Sequence, residues 1–109
     1  MSWTDLHTRM DILHTVVDRA ARNAADPRLF DGIPELNRLF GGPAGVLLAL
    51  RYRWDNHLRV KMEHALAQGK SAVEVYLELA AEQPGVRAIL DTYDTDRLMG
   101  QPRASAYAH

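Results

Sequence analysis

Apolar residues recur along this chain at helical spacing, and the longest such pattern runs over 43–66. There Leu47, Leu50, Trp54, Leu58, Met62 and Ala65 follow an i, i+3, i+7 rhythm that puts them on one stripe of a helix. Pro43 suits the first turn, where a missing N–H leaves no intrahelical bond unmade, and Gly69 suits a left-handed stop. A second stripe, Trp3, Leu6, Met10, Leu13, Val17, Ala20 and Ala21, predicts a helix capped by Ser2 or Thr4. It fades over 23–26, because the residue before Pro27 is pushed out of helical geometry. Pro34 then opens a short helix over 34–40, with Leu36, Leu39 and Phe40 turned inward and Gly41-Gly42 as its breaker. Ser71-Ala72-Val73-Glu74 fits a capping box and predicts a helix over 71–82. Its expected inner face is Val73, Tyr76, Leu77 and Ala80, with Glu74, Glu78 and Glu82 on the solvated side. After Pro84-Gly85, a closing helix over 84–93 carries Val86, Ile89, Leu90 and Tyr93.

No alternating run is long enough to build a sheet, so the expected fold class is all-α: a single small bundle of four to five helices. The bundle is expected over 1–94, with a polar, frayed tail over 95–109. The expected core is Leu6, Met10, Leu13, Val17, Leu47, Leu50, Trp54, Leu58, Met62, Val73, Tyr76, Leu77 and Ile89. A chain of 109 residues holds one such core and leaves no room for a separate catalytic domain. Hydrophobic residues at 47% and charged residues at 25% exclude wholesale disorder. The longest apolar run, 46–50, is far too short to cross a membrane, and the opening residues lack the basic and apolar regions of a signal peptide. A cytoplasmic protein without a membrane partner is the expectation.

Composition narrows the chemistry. The absence of cysteine removes disulfides, thiolate metal sites and a thiol nucleophile. The formal net charge of −1 provides no overall field for nucleic acid, so such binding needs a local patch. Arg51, Arg53, Arg59 and Lys61 form the candidate, beside Tyr52 and Trp54, but at 100° per residue they scatter around the helix as snorkelling side chains do. A histidine set is the other candidate: His7, Asp11 and His14 share one edge of the first helix, and His57 and His64 share one edge of the long helix. If those edges faced each other they would suit zinc, iron or haem. Without a Glu-x-x-His signature, half-buried helix-edge histidines and no cofactor are the expected reading. Gly69-Lys70-Ser71 lacks the upstream glycine and strand of a phosphate loop, and Asp91, Asp94 and Asp96 lack the spacing of a calcium loop. Ser71 is a helix cap and the other serines lie near the ends, so no enzymatic activity is expected.

The stretch Thr8-Arg9-Met10-Asp11-Ile12-Leu13-His14 resembles the opening helix of TetR-family transcription regulators. Phe40-Gly41-Gly42-Pro43 with the following Leu47-Leu48-Ala49-Leu50 is similar to that family's junction into its ligand domain, and the likeness extends to about residue 90. The resemblance implies a helical scaffold that holds a small ligand or dimerises. It departs from the family between 23 and 39, where seventeen residues leave no room for a DNA-reading helix. The leading expectation is therefore a non-enzymatic binding or interaction module for a small apolar ligand, a protein partner or a second copy. Leu48, Val60 and Val75, off the main stripes, are its expected contact face. A DNA-binding regulator and a histidine-based metal or haem bundle are the alternatives.

Overall fold

The computed structural model describes residues 2–93. Among them are five helices and no strand: α1 (Trp3–Asn23), α2 (Leu36–Phe40), α3 (Pro43–Ala67), α4 (Ala72–Glu82) and α5 (Pro84–Thr92). The tail expected over 95–109 lies outside the described residues. No described helix is long and apolar enough to cross a membrane.

Local chemistry sets the helix ends. The Asp5 amide donates to the Ser2 hydroxyl at 3.0 Å and the Glu74 amide to the Ser71 hydroxyl at 3.2 Å, each satisfying a first-turn N–H. Pro43 and Pro84 occupy the first turns of α3 and α5. Between α1 and α3 the chain forms turns and the five-residue α2, so no two-turn recognition helix lies there. The Arg19 guanidinium holds these turns by donating to the carbonyls of Arg28, Leu29 and Asp31. That clamp seats Leu29, completely buried, in the core.

The core gathers Ile12, Leu13, Val16 and Ala20 from α1 with Val46, Leu47, Leu50 and Trp54 from α3. Leu79, Val86, Ile89 and Leu90 close it from α4 and α5. α1 rests mainly on α5, while α4 lies along the C-terminal half of α3. The α1–α5 seat is close because residue 85 is glycine. A Cβ there would stand 2.6 Å from the Val17 carbonyl oxygen and 2.8 Å from Val17 Cγ1.

Two expected faces are rotated in the structure. In α1, Trp3, Leu6 and Met10 are exposed at 74%, 43% and 37%, at the end of the helix where Asp5 and Arg9 meet the α2 segment. There the contacts are polar: Arg38 pairs with Asp5, and Arg9 donates to the Leu39 carbonyl while lying 4.3 Å over the Phe40 ring. In α4, Val73, Tyr76 and Leu77 point to solvent, whereas Val75 and Leu79 are 1% exposed. The physical reason is the α3–α4 seam, where Lys61 pairs with Glu82 and Lys70 with Glu78. Of the flank expected in the core, Val73 and Leu77 therefore face outward, while Ala80 packs on the core and Tyr76 rests on Trp54; Glu74 and Glu82 stay exposed, with Glu78 and Glu82 paired along the seam.

Candidate functional site

Two surface features stand out, on opposite flanks of the α3–α4 pair. The first is a cleft of about 300 Å³ where α1, α3 and the α4–α5 junction meet. Val17, Ala21, Leu50, Pro84 and Val86 supply its apolar lining. His14 and Asp18 reach it from α1, Arg53 from α3, and Glu82 and Gln83 from the junction. Gln83 is fixed by donating its amide N–H to His57 Nδ1 at 2.8 Å, and Glu82 is engaged by Lys61 at 3.2 Å. Arg53, half-buried, and Asp18, exposed, make no hydrogen bond or ion pair with any described residue. A more open depression of about 570 Å³ over Phe30, Ile33, Pro34 and Pro43 presents only Asp31 as a charged group.

The second feature is apolar. At 100° per residue, Leu58, Met62 and Leu66 fall on one flank of α3, and Val73, Tyr76, Leu77 and Ala80 on one flank of α4. Leu58 and Ala80 pack against the core cluster and Met62 is half-buried, while Lys61 and His57 meet Glu82 and Gln83 on the other flanks. Leu66 is 79% exposed, Val73 69% and Leu77 59%. Tyr76 borders the row with its ring 5.8 Å from that of Trp54, and Arg87 caps both rings from α5. Arg51, Asp55, Arg59 and Glu63 edge the same side of α3 at i, i+4 spacing, joined as Arg51–Asp55 and Arg59–Glu63 pairs.

The residues singled out from sequence are distributed differently than expected. Val75 is buried against α3 and cannot contact a partner, Leu48 is half-buried, and Val60 is 57% exposed on the flank away from Met62. The three therefore form no common face. Of the basic set, Arg51, Arg59 and Lys61 are engaged by Asp55, Glu63 and Glu82, and Arg53 turns into the cleft. The histidines do not converge. His7 packs on the Trp3 ring at 4.6 Å, His14 lines the cleft, His57 holds Gln83, and His64 borders a 70 Å³ recess beside Lys61 and Lys70. Asp11 lends its carbonyl to the Thr15 hydroxyl. No three His, Asp or Glu side chains among the described residues form a metal-sized group.

Sequence reasoning missed Asp18 and the outward row of α4. The signal for Arg53 lay in spacing: Arg51, Arg59 and Arg87 each have an acid four residues on, whereas Arg53 has His57. The hydrogen bond from Lys70 lowers the Glu78 carboxyl below its ordinary value and raises the ammonium of Lys70, and that from Arg38 lowers Asp5. Comparison with protein-family models, curated proteins and solved structures finds no match for the chain.

Proposed function

We propose that this protein is a non-catalytic interaction module that pairs with a second copy of itself through the outer flank of α3 and α4. The observation that carries this reading is the exposure of Leu66, Val73 and Leu77 on α3 and α4, at 79%, 69% and 59%. A solvated row of large apolar side chains favours association, because pairing removes its surface from water. The rim points to a copy rather than to a strongly charged partner. Its signs alternate, Arg51, Asp55, Arg59, Glu63, so an antiparallel copy related by a two-fold axis sets basic against acidic positions. With a formal net charge of −1, two copies also carry little mutual repulsion.

The test is sedimentation velocity from about 1 µM to about 0.3 mM, which spans association free energies near −8 to −5 kcal/mol. A dimer should grow with concentration, and Leu77→Glu or Val73→Glu should abolish it while leaving helicity and melting temperature in place. Val60→Glu, on the other flank of α3, should still dimerise. A parent protein that stays monomeric throughout, or a Leu77→Glu variant that associates as the parent does, refutes the reading.

A further inference from the structure

The cleft between α1 and α3 holds two opposite charges that do not meet. Asp18 lines it from α1 and Arg53 from α3, yet no ion pair closes between them. Asp18 also leaves Arg22, four residues along its own helix, unengaged, although that spacing favours pairing. Arg53 has no acid at three or four residues on either side. Two other polar groups of the cleft have protein partners: Glu82 is engaged by Lys61 and Gln83 by His57. His14 contributes a ring that can donate or accept. The apolar lining of the same cleft comes from Val17, Ala21, Leu50 and Val86.

We propose that this cleft binds a free amino acid with an aliphatic or aromatic side chain, its carboxylate on Arg53 and its ammonium on Asp18. Three features fix that class. A guanidinium offers the planar fork that a carboxylate accepts in two parallel bonds. Asp18 would repel a simple carboxylate but completes a zwitterion, whose opposite charge it takes. The volume of about 300 Å³ lies at the small end of ligand pockets, as a single amino acid requires. A peptide terminus carries one of the two charges without the other, so the chemistry selects the free amino acid. The site lies on the flank away from the apolar row, so its occupation does not depend on self-pairing.

The test is isothermal titration of the full chain with L-leucine and L-phenylalanine, beside 4-methylpentanoate and 3-methylbutylamine, which each keep one charge of leucine. Leucine or phenylalanine should bind at least tenfold more tightly than either single-charge analogue. Arg53→Gln should cost leucine at least tenfold while leaving 3-methylbutylamine no weaker, and Asp18→Asn should cost leucine at least tenfold while strengthening 4-methylpentanoate, which it no longer repels. Arg53→Lys should retain part of the affinity, because it keeps the charge and loses the fork. Circular dichroism of each variant separates a lost contact from a lost fold. No binding of either amino acid at about 10 mM, where even a millimolar site at −4.1 kcal/mol would be filled, overturns the proposal. So does 4-methylpentanoate binding as tightly as leucine with no response to Asp18→Asn.

Discussion

Gly85→Ala tests the packing logic of the bundle at its closest helix crossing. The added Cβ would lie 2.6 Å from the Val17 carbonyl oxygen, 2.8 Å from Val17 Cγ1 and 3.3 Å from Ala21 Cβ. Relief of the first contact alone requires α5 to recede by about 0.7 Å, since carbon and oxygen rest at ~3.3 Å or more. The carbonyl belongs to the backbone of a 21-residue helix and cannot rotate aside, so the strain passes into the α1–α5 interface. Overpacking of this kind costs about 1–3 kcal/mol. Alanine returns at most ~1 kcal/mol of helix propensity, and less in a first turn. The expected net loss is about 1–2 kcal/mol, equivalent to a melting temperature lower by roughly 4–16 °C in a domain of this size. Urea and thermal unfolding followed by circular dichroism measure it. Val17→Ala removes Cγ1 but leaves the carbonyl, so Val17→Ala with Gly85→Ala should be no more stable than Gly85→Ala alone. A Gly85→Ala protein as stable as the parent, or full rescue by Val17→Ala, would refute the account.

Other outcomes follow from the same structure. Gly45→Ala should cost more, about 3 kcal/mol or above, because its Cβ would stand 1.7 Å from the Phe40 carbonyl oxygen; chemical denaturation reads the loss. Leu50→Ala, at 2% exposure, should cost about 2–5 kcal/mol, whereas Val60→Ala, at 57%, should stay within about 0.5 kcal/mol of the parent in the same unfolding assay. The folded Glu78 and Asp5 carboxyls lie below their ordinary values of 4.5 and 3.8, so their contribution is present above those values and is lost as pH falls through the lowered ones. Melting temperature should therefore decline on acidification through that range, and Glu78→Gln should flatten part of the decline. Lys70 is raised above 10.5, so its share is present below that pH and lost as pH rises through the raised value; Glu78→Gln should remove this alkaline loss as well.

Helix existence was legible in the sequence because each boundary carries its own local chemistry. The expected spans 43–66, 71–82 and 84–93 lie within one residue of α3, α4 and α5 at each end, and Ser2 and Ser71 cap as their hydroxyls allow. Rotational phase was less legible. In α4, Val73, Val75, Tyr76, Leu77, Leu79 and Ala80 spread apolar character over more than half the circumference, so periodicity admits two inward faces. The face that is buried is that of Val75 and Leu79, with Lys61–Glu82 and Lys70–Glu78 pairs along its edge. Leu29 was hidden for a related reason. It sits among turn residues, where Arg19 reaches across ten positions to its carbonyl and no periodic pattern marks it as buried. The cleft depends on three segments distant in sequence, which no local pattern reports.

The pairing of α1 with α5 also sets an order on synthesis. The first helix emerges from the ribosome some 70 residues before the last, and at 5–20 residues per second its partner arrives roughly 4–14 s later. Through that interval Ile12, Leu13, Val16 and Ala20, buried in the finished bundle, have no α5 to lie against. Within the bundle, α1 is therefore the helix most exposed to chaperones and to misassociation until α5 arrives. Closure of the fold waits on the arrival of Val86, Ile89 and Leu90.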